Sequence, residues 1–131
     1  SVFLSMRAEV RAFLAAKTGG TIVNIASTNS YRPQPGQSAY TSSKFAVAGI
    51  TKAAAIEYAG RGIRINAVAP GLIETPWTAD WDAMHTIVAK SAPLKRSGTP
   101  DDCTEATLGL LRTKYATGQI FVVDGGLTLM S

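Results

Sequence analysis

The sequence predicts an α/β fold built on a doubly wound parallel sheet. Two observations carry that reading. Three short runs rich in β-branched residues are each introduced by glycine, and helical patterns lie before and between them. Strands separated by helices need crossover connections, and crossovers make neighbouring strands parallel.

The chain opens on a helical pattern over residues 2–17. Phe3, Val10, Phe13 and Leu14 recur at helix-compatible spacing, and Lys17-Thr18-Gly19 supplies a basic end with a glycine stop. The first strand, residues 21–26, follows the turn pair Gly19-Gly20. An alanine-rich helix over 39–59 is apolar on most sides, which predicts burial against the sheet and against something else. The second strand, residues 63–68, follows Gly60-Arg61-Gly62. Between Pro76 and Pro93, residues 77–92 read as a shorter, mobile helix pair. The helix at 100–111 has a clear start: Thr99 can cap it, Pro100 takes the first position, and Asp101-Asp102 favour the dipole. The last strand, residues 119–123, follows Gly118 and stops at Asp124-Gly125-Gly126. The first and third strands are nearly continuous apolar runs, as expected where both faces are covered.

Composition narrows the function classes. At 131 residues the chain is one domain's worth at most, and 46% hydrophobic with 17% charged residues excludes intrinsic disorder. Thirteen Lys and Arg against nine Asp and Glu give +4, but the basic residues are scattered. That excludes the concentrated basic face of a nucleic-acid partner. A single cysteine, Cys103, forms no internal disulfide, so a reducing, cytoplasmic location is expected. The longest apolar stretch, residues 45–56, is broken by Lys52 and falls short of the ~20 residues a spanning helix needs, so no membrane role is expected. The start, Ser1-Val2-Phe3-Leu4, has no basic leader and opens in mid-pattern, which predicts a piece of a longer protein.

Chemistry concentrates in Ser27, Tyr40 and Lys44. Tyr40 and Lys44 stand at i and i+4, on one face of a helix. An ammonium beside a phenol favours the phenolate, and a tyrosine in that setting can give or take a proton near neutral pH. Ser27 ends the first strand, at the sheet edge where ligands bind in α/β folds. Its hydroxyl can hydrogen-bond an oxygen on which charge develops. Taken alone, Tyr-x-x-x-Lys is weak, since such pairs occur on many helices as surface contacts.

Further segments give the pair its setting. Residues 20–27 end in Ser27, thirteen residues before Tyr40. Residues 64–75 close on Pro70-Gly71-Leu72-Ile73-Glu74-Thr75, and residues 93–102 and 117–126 close the chain with Val123-Asp124-Gly125-Gly126. In this order, and with Tyr-x-x-x-Lys, these segments resemble the short-chain dehydrogenase/reductase family along almost the whole chain. The resemblance corresponds to that family's C-terminal half. It implies half of a Rossmann-like doubly wound parallel sheet, with residues 1–131 forming part of an NAD(P)-binding domain. It also implies an NAD(P)-dependent oxidoreductase that interconverts a secondary alcohol and a ketone.

On this resemblance, Tyr40 would exchange a proton with the substrate oxygen, and Ser27 would orient and polarise that oxygen. Lys44 would bind the nicotinamide ribose hydroxyls and favour the Tyr40 phenolate. Pro70, Gly71, Ile73 and Thr75 would contact the nicotinamide, the Ile73 backbone and the Thr75 hydroxyl reading its carboxamide. The choice of NAD or NADP stays open, because the residue that makes it belongs to the family's other half. The glycine-rich phosphate loop and a catalytic asparagine belong there too. Gly19-Gly20 and Gly60-Arg61-Gly62 cannot replace that loop, since each precedes a strand rather than opening a helix. The family further implies a small-molecule partner and a homo-oligomer, dimer or tetramer. Residues 1–131 alone are expected to be inactive, to bind NAD(P) weakly and not to form an independent monomer. Two alternatives stand beside this reading. One is an extended-type epimerase or dehydratase, against which the Pro-Gly-x-x-x-Thr and Val-Asp-Gly-Gly segments argue. The other is an inactive piece that serves only as an assembly module.

The remaining candidates have simpler readings. His85, the sole histidine, has no second ligand at metal spacing, so no metal is expected. It reads as a partly exposed helix residue, with a place in a substrate lid as the alternative. Cys103 reads as a small buried residue rather than a nucleophile, and Asn24 as a structural strand residue. Trp77 and Trp81 follow Thr75, and either wall an apolar substrate pocket or anchor their segment to the core. Tyr31, Arg32 and Gln34 either reach substrate or are simply loop residues. Glu57, Arg61 and Arg64 read as solvated surface.

Overall fold

A computed structural model describes residues 1–130. Helix α1 (Val2–Ala16) packs Met6 and Val10 into the core. Lys17 ends it in the left-handed region at φ 55°, its N–H bonded to Leu14 O at 3.3 Å, so the stop falls on the lysine and not on a glycine. Gly19 answers a different need. A Cβ there would lie 2.7 Å from the Gly62 carbonyl oxygen, where the two strand-opening turns meet.

Strands β1 (Gly20–Ile25), β2 (Ile63–Pro70) and β3 (Ile120–Val123) form one parallel sheet in the order β1-β2-β3. The register runs Gly20↔Ile63 to Ile25↔Val68, and Ala67↔Ile120 to Pro70↔Val123. Helix α2 (Ser38–Tyr58) covers one face together with α1: Ile22, Ile63 and Ile65 meet Ala54 and Ala55. Helix α4 (Pro100–Arg112) packs on all three strands. Within this chain α2 buries Val47, Thr51, Ala54 and Ala55 but leaves Phe45 and Ile56 exposed.

The doubly covered strand is β2, not the two apolar runs that the sequence favoured. Ile25 and Phe121 on β1 and β3 stay half exposed, while β2 is buried from Ile65 to Ala69. Being central, β2 receives both layers, and its polar residues are satisfied internally. Asn66 donates to Ala116 O at 2.9 Å and accepts from Gln119 N–H at 3.0 Å. Asn24 on β1 is structural, as read, donating to Thr51 Oγ1 at 2.9 Å.

Arg64 corrects the surface reading. Its guanidinium donates to the carbonyls of Thr113 at 2.7 Å, Leu111 at 2.9 Å and Leu110 at 3.2 Å, and so caps the C-terminus of α4. These are orphan carbonyls that every helix end must place somewhere. The other end of α4 is closed as predicted by Thr99, and Asp102 completes a reciprocal cap by accepting the Thr99 N–H at 2.6 Å. Arg96 grips the same carboxylate with bonds of 2.7 and 2.8 Å. That guanidinium, helped by Thr99, holds the Asp102 carboxyl well below the usual carboxylate range. Between β2 and α4 lie a 3-10 turn (Pro76–Thr78) and helix α3 (Asp82–Ser91), where the sequence predicted a helix pair.

Candidate active site

The C-terminal ends of β1 and β2 open onto a cleft of about 880 Å³. That volume suits a small-molecule site, for which ~300–1,000 Å³ is usual. Ser27, Tyr40 and Lys44 all line it, brought together from the end of β1 and the first turns of α2.

Each is placed by local structure. Ser27 is buried and caps the 3-10 turn Thr28–Ser30, its Oγ accepting the Asn29 N–H at 3.2 Å. That contact uses a lone pair and leaves the hydroxyl hydrogen to donate elsewhere. The turn is fastened to α2 on both sides of Tyr40. Asn29 Nδ2 donates to Gln37 Oε1 at 2.6 Å, and Ser30 Oγ to Lys44 O at 2.8 Å. Tyr40 is 41% exposed toward the cleft it lines. Lys44 Nζ lies 5.6 Å from the Tyr40 ring centroid and donates to Ile25 O at 3.0 Å, with two further N–H donors to offer.

The opposite wall starts where β2 ends. Gly71 donates its N–H to Val123 O at 2.9 Å, and a Cβ there would sit 2.8 Å from Asp124 Cβ. Only glycine lets this loop lie so close to the Asp124-Gly125-Gly126 turn. Ile73 forms a parallel bridge with Gly98: Glu74 N–H reaches Gly98 O, and Gly98 N–H reaches Leu72 O, each at 2.9 Å. In that pattern the N–H and C=O of Ile73 itself point away from Gly98. Pro70, Gly71, Ile73 and Thr75 all line the cleft.

Trp77 and Trp81 line it too, their ring centroids 5.1 Å apart and tilted by 57°. Trp77 is 73% exposed, so it does not anchor its segment in the core. Arg32 and Gln34 also line the cleft, Arg32 donating to Leu127 O at 3.3 Å. Tyr31 does not; its hydroxyl bonds Ile120 O at 3.3 Å, and burial pushes it up from its ordinary value. Cys103 lies outside the cleft, half-buried rather than buried. Burial, aided by the Asp102 charge, pushes its thiol up, which disfavours the thiolate a nucleophile needs. Asn29, Gln37, Thr78 and Ser97 carry contacts around the site that sequence reasoning missed; only the position of Asn29, two residues beyond Ser27, hinted at a turn. Among the described residues, no three His, Cys, Asp or Glu side chains gather to hold a metal ion, and no helix is long and apolar enough to cross a membrane.

Comparison with known proteins agrees with this architecture. A family described as enoyl-(acyl carrier protein) reductase matches residues 1–128. A cyclohexanol dehydrogenase of Acinetobacter sp. (strain SE19) is 43% identical over 98% of this chain and 51% of its own. The crystal structure of a short-chain type dehydrogenase/reductase from Mycobacterium marinum superposes with a TM-score of 0.90 at 38% identity, over 97% of this chain and 52% of that one. A 4-hydroxyisoleucine dehydrogenase mutant complexed with NADH and succinate gives a TM-score of 0.92 at 32% identity, over 97% and 54%. The chain spans about half the length of the curated relatives it matches. Its three parallel strands and flanking helices are thus part of a Rossmann-like sheet, and the chain belongs to the short-chain dehydrogenase/reductase family of oxidoreductases.

Proposed function

We propose that the intact protein is an NAD(P)-dependent enzyme that interconverts a secondary alcohol and a ketone, with residues 1–131 supplying the catalytic part of its nicotinamide-binding domain. One observation carries this reading: Ser27, Tyr40 and Lys44 share a single cleft at the C-terminal sheet edge, with the ammonium beside the phenol ring. The residues present fit a nicotinamide nucleotide. Among the described residues no acidic side chain lines the cleft, and Lys44 retains donors suited to ribose hydroxyls. The Ile73 backbone and the Thr75 hydroxyl belong to the facing wall, where they would read a carboxamide. A relative solved with NADH supports the same cofactor class.

Bound there, NAD(P) would supply or accept the hydride. Tyr40 gives its proton to the forming alkoxide in reduction and takes it back in oxidation. Lys44 would hold the ribose hydroxyls, with its ammonium beside the phenol that gives up the proton. Ser27 donates its hydroxyl hydrogen to the substrate oxygen, which fixes the carbonyl and stabilises the charge that develops on it. Trp77 supplies an apolar wall for the rest of the substrate. The exposed apolar side chains of α2, Phe45 and Ile56, support a homo-oligomer.

The test is label transfer. The intact protein, given C4-deuterated NADH or NADPH and a panel of ketones, should place deuterium on the carbinol carbon of the alcohol formed. A panel of alicyclic and aliphatic ketones that yields no labelled alcohol with either cofactor contradicts the reading.

A further inference from the structure

We infer that His85 is a positioning residue for the cofactor end of the cleft, holding in place the turn that carries Ile73 and Thr75. The inference rests on the function proposed above and assigns a role to the one histidine of the chain.

His85 lies on α3, partly buried, with both ring nitrogens engaged. Nε2 lies 3.0 Å from the backbone carbonyl of Thr78, and Nδ1 lies 2.7 Å from Ser97 Oγ. A carbonyl can only accept, so Nε2 carries the hydrogen. In the tautomer with its hydrogen on Nε2, Nδ1 accepts the Ser97 hydroxyl hydrogen. The Thr78 carbonyl thus selects that tautomer over the one with its hydrogen on Nδ1 alone.

Thr78 is the hub of the turn. It is 5% exposed, and its hydroxyl donates to Ile73 O at 2.7 Å while accepting Thr75 N–H at 3.0 Å. It also lies 3.2 Å from Thr75 Oγ1. The two groups proposed to read the carboxamide are therefore both bonded to Thr78. On the other side of the histidine, Ser97 is buried and precedes Gly98, the residue that bridges Ile73.

The contacts close a circuit: Ile73 and Thr75 to Thr78, Thr78 to His85, His85 to Ser97, and Gly98 back to Ile73. Apolar packing takes a limited share of this work: of the apolar side chains of α3 that line the cleft, Val88 is buried while Met84 and Ile87 stay exposed. His85 is the only side chain that bridges Thr78 and Ser97 among the described contacts. Without it, the turn keeps its internal bonds and the bridge to Gly98 but loses the side-chain tie between Thr78 and Ser97, and Ile73 and Thr75 spread over more orientations.

Three variants of the intact protein test this. His85→Phe keeps the ring and removes both bonds. His85→Gln places its amide N–H where Nε2 was, and His85→Asn places its amide near Nδ1, reaching Ser97 but not Thr78. Calorimetry should show NAD(P) binding about tenfold weaker in His85→Phe and His85→Asn, the size of one lost hydrogen bond, and close to wild type in His85→Gln. The KM for the cofactor should follow, with kcat for saturated enzyme changed far less. In ¹⁵N-histidine spectra the His85 ring should show a protonated Nε2 and an accepting Nδ1. Equal cofactor affinity in all three variants, or the opposite tautomer, overturns the assignment. Should His85→Phe not fold, the Gln and Asn pair decides alone, since Gln keeps the bond to Thr78 and Asn keeps only the one to Ser97. The label-transfer experiment separates the two claims: deuterated alcohol with unaltered binding in the variants defeats the role of His85 and leaves the function standing.

Discussion

Strand β2 and the segment from Leu72 to Ala92 are consecutive in the chain and wall the same cleft, yet they are held by different forces. In β2, Ile65, Ala67, Val68 and Ala69 are wholly buried, pressed between helices on two sides. In the following segment only Thr78, Val88 and Ala92 are buried, while Trp77, Met84 and Ile87 stay exposed along the cleft. The first region is fixed by area removed from water; the second hangs on a few directional bonds around Thr78 and His85. A rigid floor can hold acid–base residues to a fraction of an ångström, whereas a wall tied by hydrogen bonds can vary in sequence and admit different substrates.

The contrast can be broken at several points, each measured by denaturant unfolding of the intact protein unless another readout is given. Ile65→Ala should cost about 2–5 kcal/mol, because a close-packed site cannot refill the lost volume. Arg64→Met should cost about 1.5–3 kcal/mol, the worth of charge-assisted bonds to the α4 carbonyls; a loss below about 0.5 kcal/mol would return Arg64 to the surface. Asp102 sharpens the comparison through pH. Its carboxyl is held low in the folded state by Arg96 and Thr99, so its contribution is fully present above about pH 4 and is lost as pH falls through the folded value. Thermal midpoints should therefore drop below about pH 4 in the wild type and drop less in Asp102→Asn; parallel curves would mean the cap does not matter. The smallest effect belongs to Ile87→Ala, within about 0.5 kcal/mol, since that side chain is already 53% exposed. A cost there as large as at Ile65 would erase the distinction between floor and wall.

The same distinction decided what could be read from sequence. Periodicity and glycine boundaries located all three strands and the long helices to within about two residues, because burial sets those patterns. The start of α4 was legible because Thr99 and Pro100 act locally. Arg64 and Asn66 misled the reading of β2, since their partners lie some fifty residues downstream and no local pattern shows them. In the site, Ser27, Tyr40 and Lys44 stood out through spacing and family resemblance. The ties around the cleft, Asn29 to Gln37 beside Tyr40 and His85 to Thr78 on the facing wall, are single contacts across a turn and leave no periodic trace.

The most direct test of the account is Tyr40→Phe in the intact protein, with turnover and cofactor binding measured on the same sample. The hydroxyl is the only group removed, so turnover should fall by at least about a hundredfold, the usual contribution of a positioned acid–base group, while NAD(P) affinity stays close to wild type. Turnover near the wild-type rate with cofactor bound would place the proton chemistry somewhere other than this cleft.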